Sequence, residues 1–352
     1  MSPHRGGLRW VTTPGTKQAF IGLRLHRPDK HVVDCYRTQG PGYQTRMNAV
    51  LRMYYTGRNR FCRKRSPSPA SGRAERAECR KMGSTNIYFF SGAGHSFAVA
   101  RDLAACLGGA ELISIAPLLS KATISDEAER IVFVFPVYGG KSPKFIREWL
   151  SRFRPGKSSV IFAVCTCNIA PGHSLIEVDR ILRSSASRLT AGFAVMQPQS
   201  GIGSKRINTP ELVDSRLAAQ KKKVPEIARH IQAGGPPVIE KSGRLSEYFN
   251  SSMLTVLPTI GKLIGSLITK GIKNMKFRPE TGCNGCGICV RLCPSNNIRM
   301  IEGRPQWGDT CLGCMGCYHW CPEDAVRSVD LDMAQSPHRE VTVQELLRYA
   351  GK

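Results

Sequence analysis

Eight of the fourteen cysteines in this 352-residue chain fall into two copies of one spacing, Cys-x2-Cys-x2-Cys-x3-Cys-Pro. The first copy is Cys283, Cys286, Cys289 and Cys293, followed by Pro294; the second is Cys311, Cys314, Cys317 and Cys321, followed by Pro322. Each position of the second copy lies 28 residues after its counterpart. A repeat kept at four cysteines and a proline constrains the fold more tightly than any other feature of the chain. Two loops of the same kind must bring their thiols onto small, shared volumes.

Three cysteines at two-residue spacing sit on one tight loop and can hold three corners of an iron–sulfur cube, so a fourth thiolate must come from elsewhere. In this motif it comes from the other copy, because the cysteine before the proline ligates the other [4Fe–4S] cluster. Cluster one is therefore expected on Cys283, Cys286, Cys289 and Cys321, and cluster two on Cys311, Cys314, Cys317 and Cys293. Gly285, Gly287, Gly313 and Gly316 permit backbone conformations that bring N–H groups to the sulfurs, where they tune the potential. Ile288, Leu292, Ile298, Leu312, Met315 and Val326 can exclude water. Zinc and a disulfide framework are the alternatives for so many cysteines, but zinc takes four ligands in two pairs, not triplets followed by Cys-Pro. Clusters of this kind imply a reducing compartment, and a cytoplasmic location is the expectation.

The net charge of +25 is lopsided. Residues 1–81 hold 18 Lys and Arg against 4 Asp and Glu, and the rest of the chain holds 33 against 22. More than half of the excess thus lies in a stretch without helical or strand periodicity, rich in Arg, Gly, Pro and Ser, so nucleic-acid binding is not expected. Composition marks residues 1–82 as a disordered basic extension, and Met82, just before a convincing strand, is the expected natural start; an Arg-rich transit peptide is the rival explanation. No apolar run is long enough to span a bilayer. Met253 to Ile268 reads as an amphipathic helix within a linker over 236–275, packed on a neighbouring domain. Its lysines leave membrane-surface contact as the lesser reading.

From residue 84 the pattern alternates strand and helix. Apolar runs at Asn86–Phe90, Leu112–Ile115, Ile131–Phe135, Val160–Cys165 and Phe193–Met196 read as strands. His95–Leu107, Pro143–Phe153, Gly172–Arg183 and Pro210–Ala233 read as helices. Five strands alternating with helices argue for an open parallel α/β sheet over 83–235, whose ligands sit beyond the carboxyl ends of the strands. The loop after the first strand, Ser91-Gly92-Ala93-Gly94-His95-Ser96, runs into a helix and can form an anion nest for one phosphate. It is neither a dinucleotide fingerprint nor a Walker loop.

Over residues 84–335 the chain resembles the flavodoxin–ferredoxin fusion proteins of anaerobic bacteria and archaea. The matching stretches are Tyr88 to Ser96, Phe133 to Gly140 and, most closely, Thr281 to Val326. The resemblance implies a flavodoxin-like five-stranded domain joined to a small α+β, ferredoxin-like two-cluster domain over 276–335, with a C-terminal helix or tail over 336–352. It also implies FMN. Ser91, Gly92, Ala93, Gly94, His95 and Ser96 would hold the phosphate. Pro136, Val137, Tyr138, Gly139 and Gly140 would lie along the ring, with Tyr138 stacking on it, and Thr166, Cys167 and Asn168 would flank the other side. Two positions depart from the family pattern: Ala93 replaces a usual threonine, and Cys167 stands near where an aromatic is common. Of the other cysteines, Cys106 is expected in the core, and Cys165 and Cys167 are expected on opposite sides of a strand. His95, His173 and His319 are expected to hold no metal, with His319 shielding or hydrogen-bonding a cluster sulfur.

The expectation is an electron carrier that passes electrons between FMN, two [4Fe–4S] clusters and redox partner proteins. No catalytic residue is assigned. A flavin-dependent reductase is the alternative, with Lys141 and Asn168 as the nearest candidate groups. A flavin-free ferredoxin, whose α/β domain serves as a docking scaffold, is another. Cross-ligation makes a specific prediction: Cys293→Ala damages the cluster held by the second triplet and leaves the first comparatively intact, as read by EPR of the reduced protein.

Overall fold

A computed structural model of the chain describes residues 84–201, 204–242, 277–328 and 333–351. Contacts divide the chain into Met1–Arg76 and Ala77–Lys352, and every described residue belongs to the second unit. The basic extension and the amphipathic segment Met253 to Ile268 lie outside the described residues.

In chain order the elements of the α/β part are β1 (Thr85–Phe89), α1 (His95–Leu107), β2 (Glu111–Ser114), β3 (Ile124–Asp126), β4 (Arg130–Pro136), α2 (Lys144–Ser151), β5 (Phe153–Pro155), β6 (Val160–Cys167), α3 (Ser174–Arg183), β7 (Ala191–Met196), α4 (Ser204–Ile207), α5 (Pro210–Ala233) and β8 (Val238–Ile239). The main sheet runs β2-β1-β4-β6-β7-β8, and every pairing in it is parallel. Its first five strands follow the flavodoxin-like 2-1-3-4-5 order. The sheet has six strands, not the expected five. β8 is only two residues long, too short to show a period-2 pattern, and pairs with β7 at the edge.

Burial explains the central strands. Ile131 to Phe135 on β4 are all fully buried, as a parallel strand covered on both faces requires. Ile131, Phe133 and Phe135 face Phe145, Trp149 and Val178 of α2 and α3. Val132 and Val134 face Phe97, Leu103, Val224 and Ile227 of α1 and α5. The period of two along the strand thus divides the core into two layers. Tyr88 crosses to Asp126 with a 2.9 Å hydrogen bond, and Asn86 donates to the same carboxylate at 2.8 Å, tying β1 to β3.

The cysteine-rich part contains β9 (Phe277–Pro279), α6 (Ile288–Leu292), β10 (Ile298–Ile301), β11 (Arg304–Trp307), α7 (Gly316–His319) and β12 (Val326–Ser328). β10 pairs with β11 and β12 with β9, both antiparallel. The 28-residue repeat of the sequence reappears in the backbone. Gly285 and Gly313 have φ of 73° and 66°, Gly287 and Met315 have 71° and 61°, and Asn296 and Asp324 have 53° and 44°. Met315 thus holds a left-handed conformation at the position equivalent to a glycine, a cost that its packing with Phe277, Tyr318 and Val326 offsets.

The C-terminal segment is a strap rather than a free tail. His338 donates its backbone N–H to Ala93 O at 2.9 Å, and the chain continues into α8 (Val343–Arg348), which opens with a Thr342–Glu345 capping box. Leu346 is buried against the α1 face of the sheet, and Tyr349 packs on Phe89 and Phe97 with ring centroids 5.3 and 5.6 Å away.

The α/β part and the cysteine-rich part meet backbone to backbone at Gly92. A Cβ built there would stand 1.8 Å from the carbonyl oxygen of Cys314, while the Trp320 indole donates to Gly92 O at 2.8 Å. Backbone cannot retreat as a side-chain tip can. Gly92→Ala is therefore expected to loosen the cysteine-rich part from the sheet, with a loss on the order of 2–4 kcal/mol, read as a lower denaturation midpoint and faster proteolysis within 277–328.

Candidate functional site

The loops at the carboxyl ends of β1, β4, β6 and β7 enclose a cavity of about 330 Å³. Ser91, Gly92, Ala93, His95 and Ser96 line it, as do Pro136, Val137, Tyr138, Gly139, Thr166, Cys167 and Asn168. Twelve of the fourteen residues expected around FMN therefore meet at one place. Gly94 and Gly140 do not line it. Gly94 turns α1 away from β1 with φ of 91° beneath Trp320, His338 and Val341. Gly140 packs instead under Gly172, whose added Cβ would reach 2.1 Å from its carbonyl oxygen, and accepts from His173 N–H at 2.8 Å.

The phosphate-loop candidate has unspent donors. Among the described residues, no protein acceptor takes a hydrogen bond from the backbone N–H groups of Ser91 through Phe97, whereas those of Phe90 and Ala98 are bonded to Val134 O and Gly94 O. Most of this loop is buried, and buried amides left without partners are costly unless a ligand or water takes them. The 13-residue helix α1 adds the positive end of its dipole. The Ser96 hydroxyl is shared with Thr166 at 2.8 Å, which ties the β1 and β6 loops together. The residues present fit a bound phosphate.

On the other side of the cavity, Tyr138 begins a tight turn closed by reciprocal backbone bonds with Lys141. Behind it, Ser142 donates its hydroxyl to Glu177 at 3.0 Å and Arg147 reaches the same carboxylate, anchoring the turn to α3. Burial raises the Tyr138 phenol far above its ordinary range, and the charge of Cys314 adds to this, so the ring stays protonated beside the second cysteine loop.

Sequence reasoning missed two walls of the cavity. One is the loop after β7, Gln197 to Gly201. The rule that ligands meet strand carboxyl ends would have included it. The other is Leu312, Gly313, Cys314 and Met315, from the heart of the second cysteine triplet. No local pattern could have revealed this, because it depends on how the cysteine-rich part docks.

The eight motif cysteines form two groups. Cys283, Cys286, Cys289 and Cys321 line one small cavity. The Cys289 thiol is pushed up to about 11, chiefly by burial, with Cys286, Cys283 and Cys321 adding. In the second group, burial pushes the Cys314 thiol up to about 12, with Cys293 and Cys311 adding. Cys317 is raised by burial and then by Cys314, Cys311 and Cys293. Thiols so placed resist ionisation unless a cation shares the site. Backbone donors repeat as well: Asn297 N–H meets the Cys293 sulfur and Ala325 N–H the Cys321 sulfur, both at 3.3 Å. The buried Trp307 indole N–H has no oxygen or nitrogen partner and faces the Cys317 sulfur, whose thiol it lowers. Among the described residues no three His, Cys, Asp or Glu side chains stand close enough to hold a single ion. The residues present fit a cluster.

Three expectations are corrected. Cys165 and Cys167 lie on the same face of β6, because positions two apart on a strand do so, and their sulfurs interact. The hydrogen bond from Cys165 lowers the Cys167 thiol, with Arg216 and Lys223 contributing, while the same bond raises Cys165. Among the described residues His319 makes no hydrogen bond to a sulfur; its Nε2 reaches Ser200 O at 2.8 Å and its Nδ1 accepts from Ser336 N–H. Cys106 is exposed, on the outer side of α1.

Comparison with known proteins agrees with the cysteine pattern. Residues 282–326 match the 4Fe-4S dicluster domain family. Residues 2–55 match the BrnA antitoxin of type II toxin–antitoxin system family, a span within the basic extension and outside the described residues. No curated protein is similar enough to this chain to match. Among solved structures, a flavodoxin from the domain Archaea is 16% identical over 42% of this chain and 99% of its own, with a TM-score of 0.26. The FMN-dependent NADH-azoreductase of Bacillus anthracis, solved with FMN, is 10% identical over 42% and 99%, with a TM-score of 0.31. Rubredoxin oxygen:oxidoreductase from Desulfovibrio gigas is 15% identical over 45% of this chain and 38% of that one, with a TM-score of 0.28. These are low scores, and the flavodoxin-like fold rests on the strand order. Among the described residues no helix is long and apolar enough to cross a membrane.

The thiol pair yields a prediction. With clusters assembled, an alkylating reagent labels Cys167 ahead of Cys165, and Cys165→Ala slows that labelling about threefold to tenfold near neutral pH by removing the bond that favours the thiolate. Peptide mass spectrometry reads both outcomes.

Proposed function

We propose that this protein is an electron carrier holding FMN and two [4Fe–4S] clusters, with the second cluster next to the flavin. One observation carries the reading: the Leu312–Met315 stretch of the second triplet walls the cavity at the strand ends, while no residue of the first triplet lines it. On this reading, Cys283, Cys286, Cys289 and Cys321 hold the outer cluster and Cys311, Cys314, Cys317 and Cys293 the inner one. When bound, the flavin supplies two-electron chemistry divisible into single steps, and the clusters supply one-electron chemistry.

The chain's own groups do the rest. The unpaired amides of Ser91–Phe97 hold the phosphate, and Tyr138 with Val137 covers the ring. Tyr138, protonated at all ordinary pH, would present an apolar body and a neutral hydroxyl to the flavin on the side of the cavity near Cys314. Met315 and Leu312 exclude water from the space between the two centres. The Gly92–Cys314 contact brings the two backbones into touch, so little protein separates the phosphate loop from the inner cluster. Redox partner proteins are expected to approach the cysteine-rich part, where Cys286 of the outer group and Cys311 of the inner one are both exposed.

Ala93 and Cys167 favour a second reading, in which the α/β part has lost flavin and remains a docking scaffold. Anaerobic reconstitution separates the two. The carrier reading expects about eight iron atoms and one FMN per chain, with the flavin band near 450 nm bleaching as dithionite reduces the clusters. Full iron content with no flavin uptake would leave the scaffold reading standing and end the carrier one.

A further inference from the structure

Three buried histidines stand where the phosphate loop, α7 and the C-terminal strap meet, and one differs from the others in its partners. His319 faces Ser200 O with Nε2 at 2.8 Å and accepts from Ser336 N–H at Nδ1 at 3.1 Å. His338 faces Gln220 Oε1 with Nε2 at 3.4 Å and accepts from Glu340 N–H at Nδ1 at 3.2 Å. Each therefore has one acceptor and one donor, the complement of a neutral ring. His95 has Gln197 Oε1 at 3.1 Å from Nδ1 and Ser336 O at 3.2 Å from Nε2. Both are acceptors, and only an imidazolium donates to both.

The Gln197 amide cannot turn round to relieve this. Its Nε2 donates to Gln220 Oε1 at 2.8 Å, and Gln220 Nε2 donates to Asp102 Oδ2 at 2.8 Å. A carboxylate only accepts, so Asp102 orients Gln220, Gln220 orients Gln197, and Gln197 presents oxygen to His95. Turning the relay would set an amide oxygen against the carboxylate. Opposing this, burial lowers His95 to about 4, with His338, 5.3 Å away ring to ring, the next cause. The free protein near neutral pH thus holds a neutral ring with one acceptor facing a lone pair. The other charged groups around this network are Arg101 beside Asp102, Glu340 with Lys221, and Arg216 and Lys223 toward Cys167. Among the described residues no lysine or arginine lines the cavity.

We propose that His95 is the cation of the flavin phosphate site: the phosphate dianion charges the His95 ring on binding, and the ring then donates to both Gln197 and Ser336. This rests on the FMN reading above. The bond count balances, since one solvent proton moves to His95 and no covalent bond changes. A basic group raised on binding favours the complex at low pH. FMN affinity therefore falls as pH rises toward the ring's pKa in the complex, approaching tenfold per pH unit. The window to use is pH 7 to about 8.5, above the phosphate's own second ionisation near 6.

The test is calorimetry on the full chain with clusters assembled and flavin removed, in phosphate-free buffers of different ionisation enthalpy. FMN should bind with uptake of most of one proton, and riboflavin with none. His95→Gln should abolish the uptake and weaken FMN about ten- to hundredfold more than it weakens riboflavin, the loss of one nearby positive charge. Asp102→Asn, which frees the relay to turn, should lower the uptake without touching the cavity. Riboflavin binding by each variant reports an intact cavity, and the FMN–riboflavin comparison in the unaltered chain stands even if a variant fails to fold. Equal proton exchange for FMN and riboflavin, or uptake unchanged in His95→Gln, overturns the role of His95 and leaves the flavin reading in place. Failure of both flavins to bind the unaltered chain overturns both.

Discussion

The contact on which the rest of the site depends is backbone on backbone: Gly92 of the first loop against the carbonyl of Cys314. It is possible only because position 92 has no side chain. With it go the Trp320 bond to Gly92 O, the C-terminal strap across Ala93 and the Leu312–Met315 wall of the cavity. A hydrogen bond such as Trp320–Gly92 contributes about 1 kcal/mol net. The steric fit beneath it does more, because it permits only one seating of the cysteine-rich part on the sheet. One loop then serves two sites, its amides open toward the cavity and its carbonyl side pressed against the second cysteine triplet.

That arrangement has an electrostatic consequence. The cavity is lined without lysine or arginine among the described residues, so the positive potential for an anion comes from dipoles: unpaired amides and the start of α1. The buried polar network behind the loop, from His95 through Gln197 and Gln220 to Asp102, extends this to the protein surface. Such networks matter when all members are satisfied. Here a single histidine is over-supplied with acceptors, which is a reason to look for charge arriving from outside.

Much of the fold was legible in the chain. The helices His95–Leu107 and Pro210–Ala233 match their expected limits, because their apolar faces run at helical spacing and glycines close both. The five long strands were visible as apolar runs, and β8 was not, since two residues at an edge carry no period. Cys165 and Cys167 were misassigned to opposite faces against a simple rule of strand geometry. His319, adjacent in sequence to a motif cysteine, turned its ring toward Ser200 and Ser336, showing that nearness along the chain says little about where a helical side chain points.

The candidate site divides in the same way. The spacing of eight cysteines, their prolines and the Gly-rich loop after β1 are local facts, and local geometry follows from them: tight turns, positive φ angles repeating at an interval of 28 residues, amides near sulfur. Periodicity likewise settled a parallel α/β sheet, since strands buried on both faces cannot hide their composition. Which loop would close the cavity, which cysteine triplet would lie beside it, and which histidine would be given two acceptors were decided only when segments more than a hundred residues apart packed together. No residue pattern encodes those meetings directly, because they follow from shape complementarity and hydrogen-bond direction in the assembled chain.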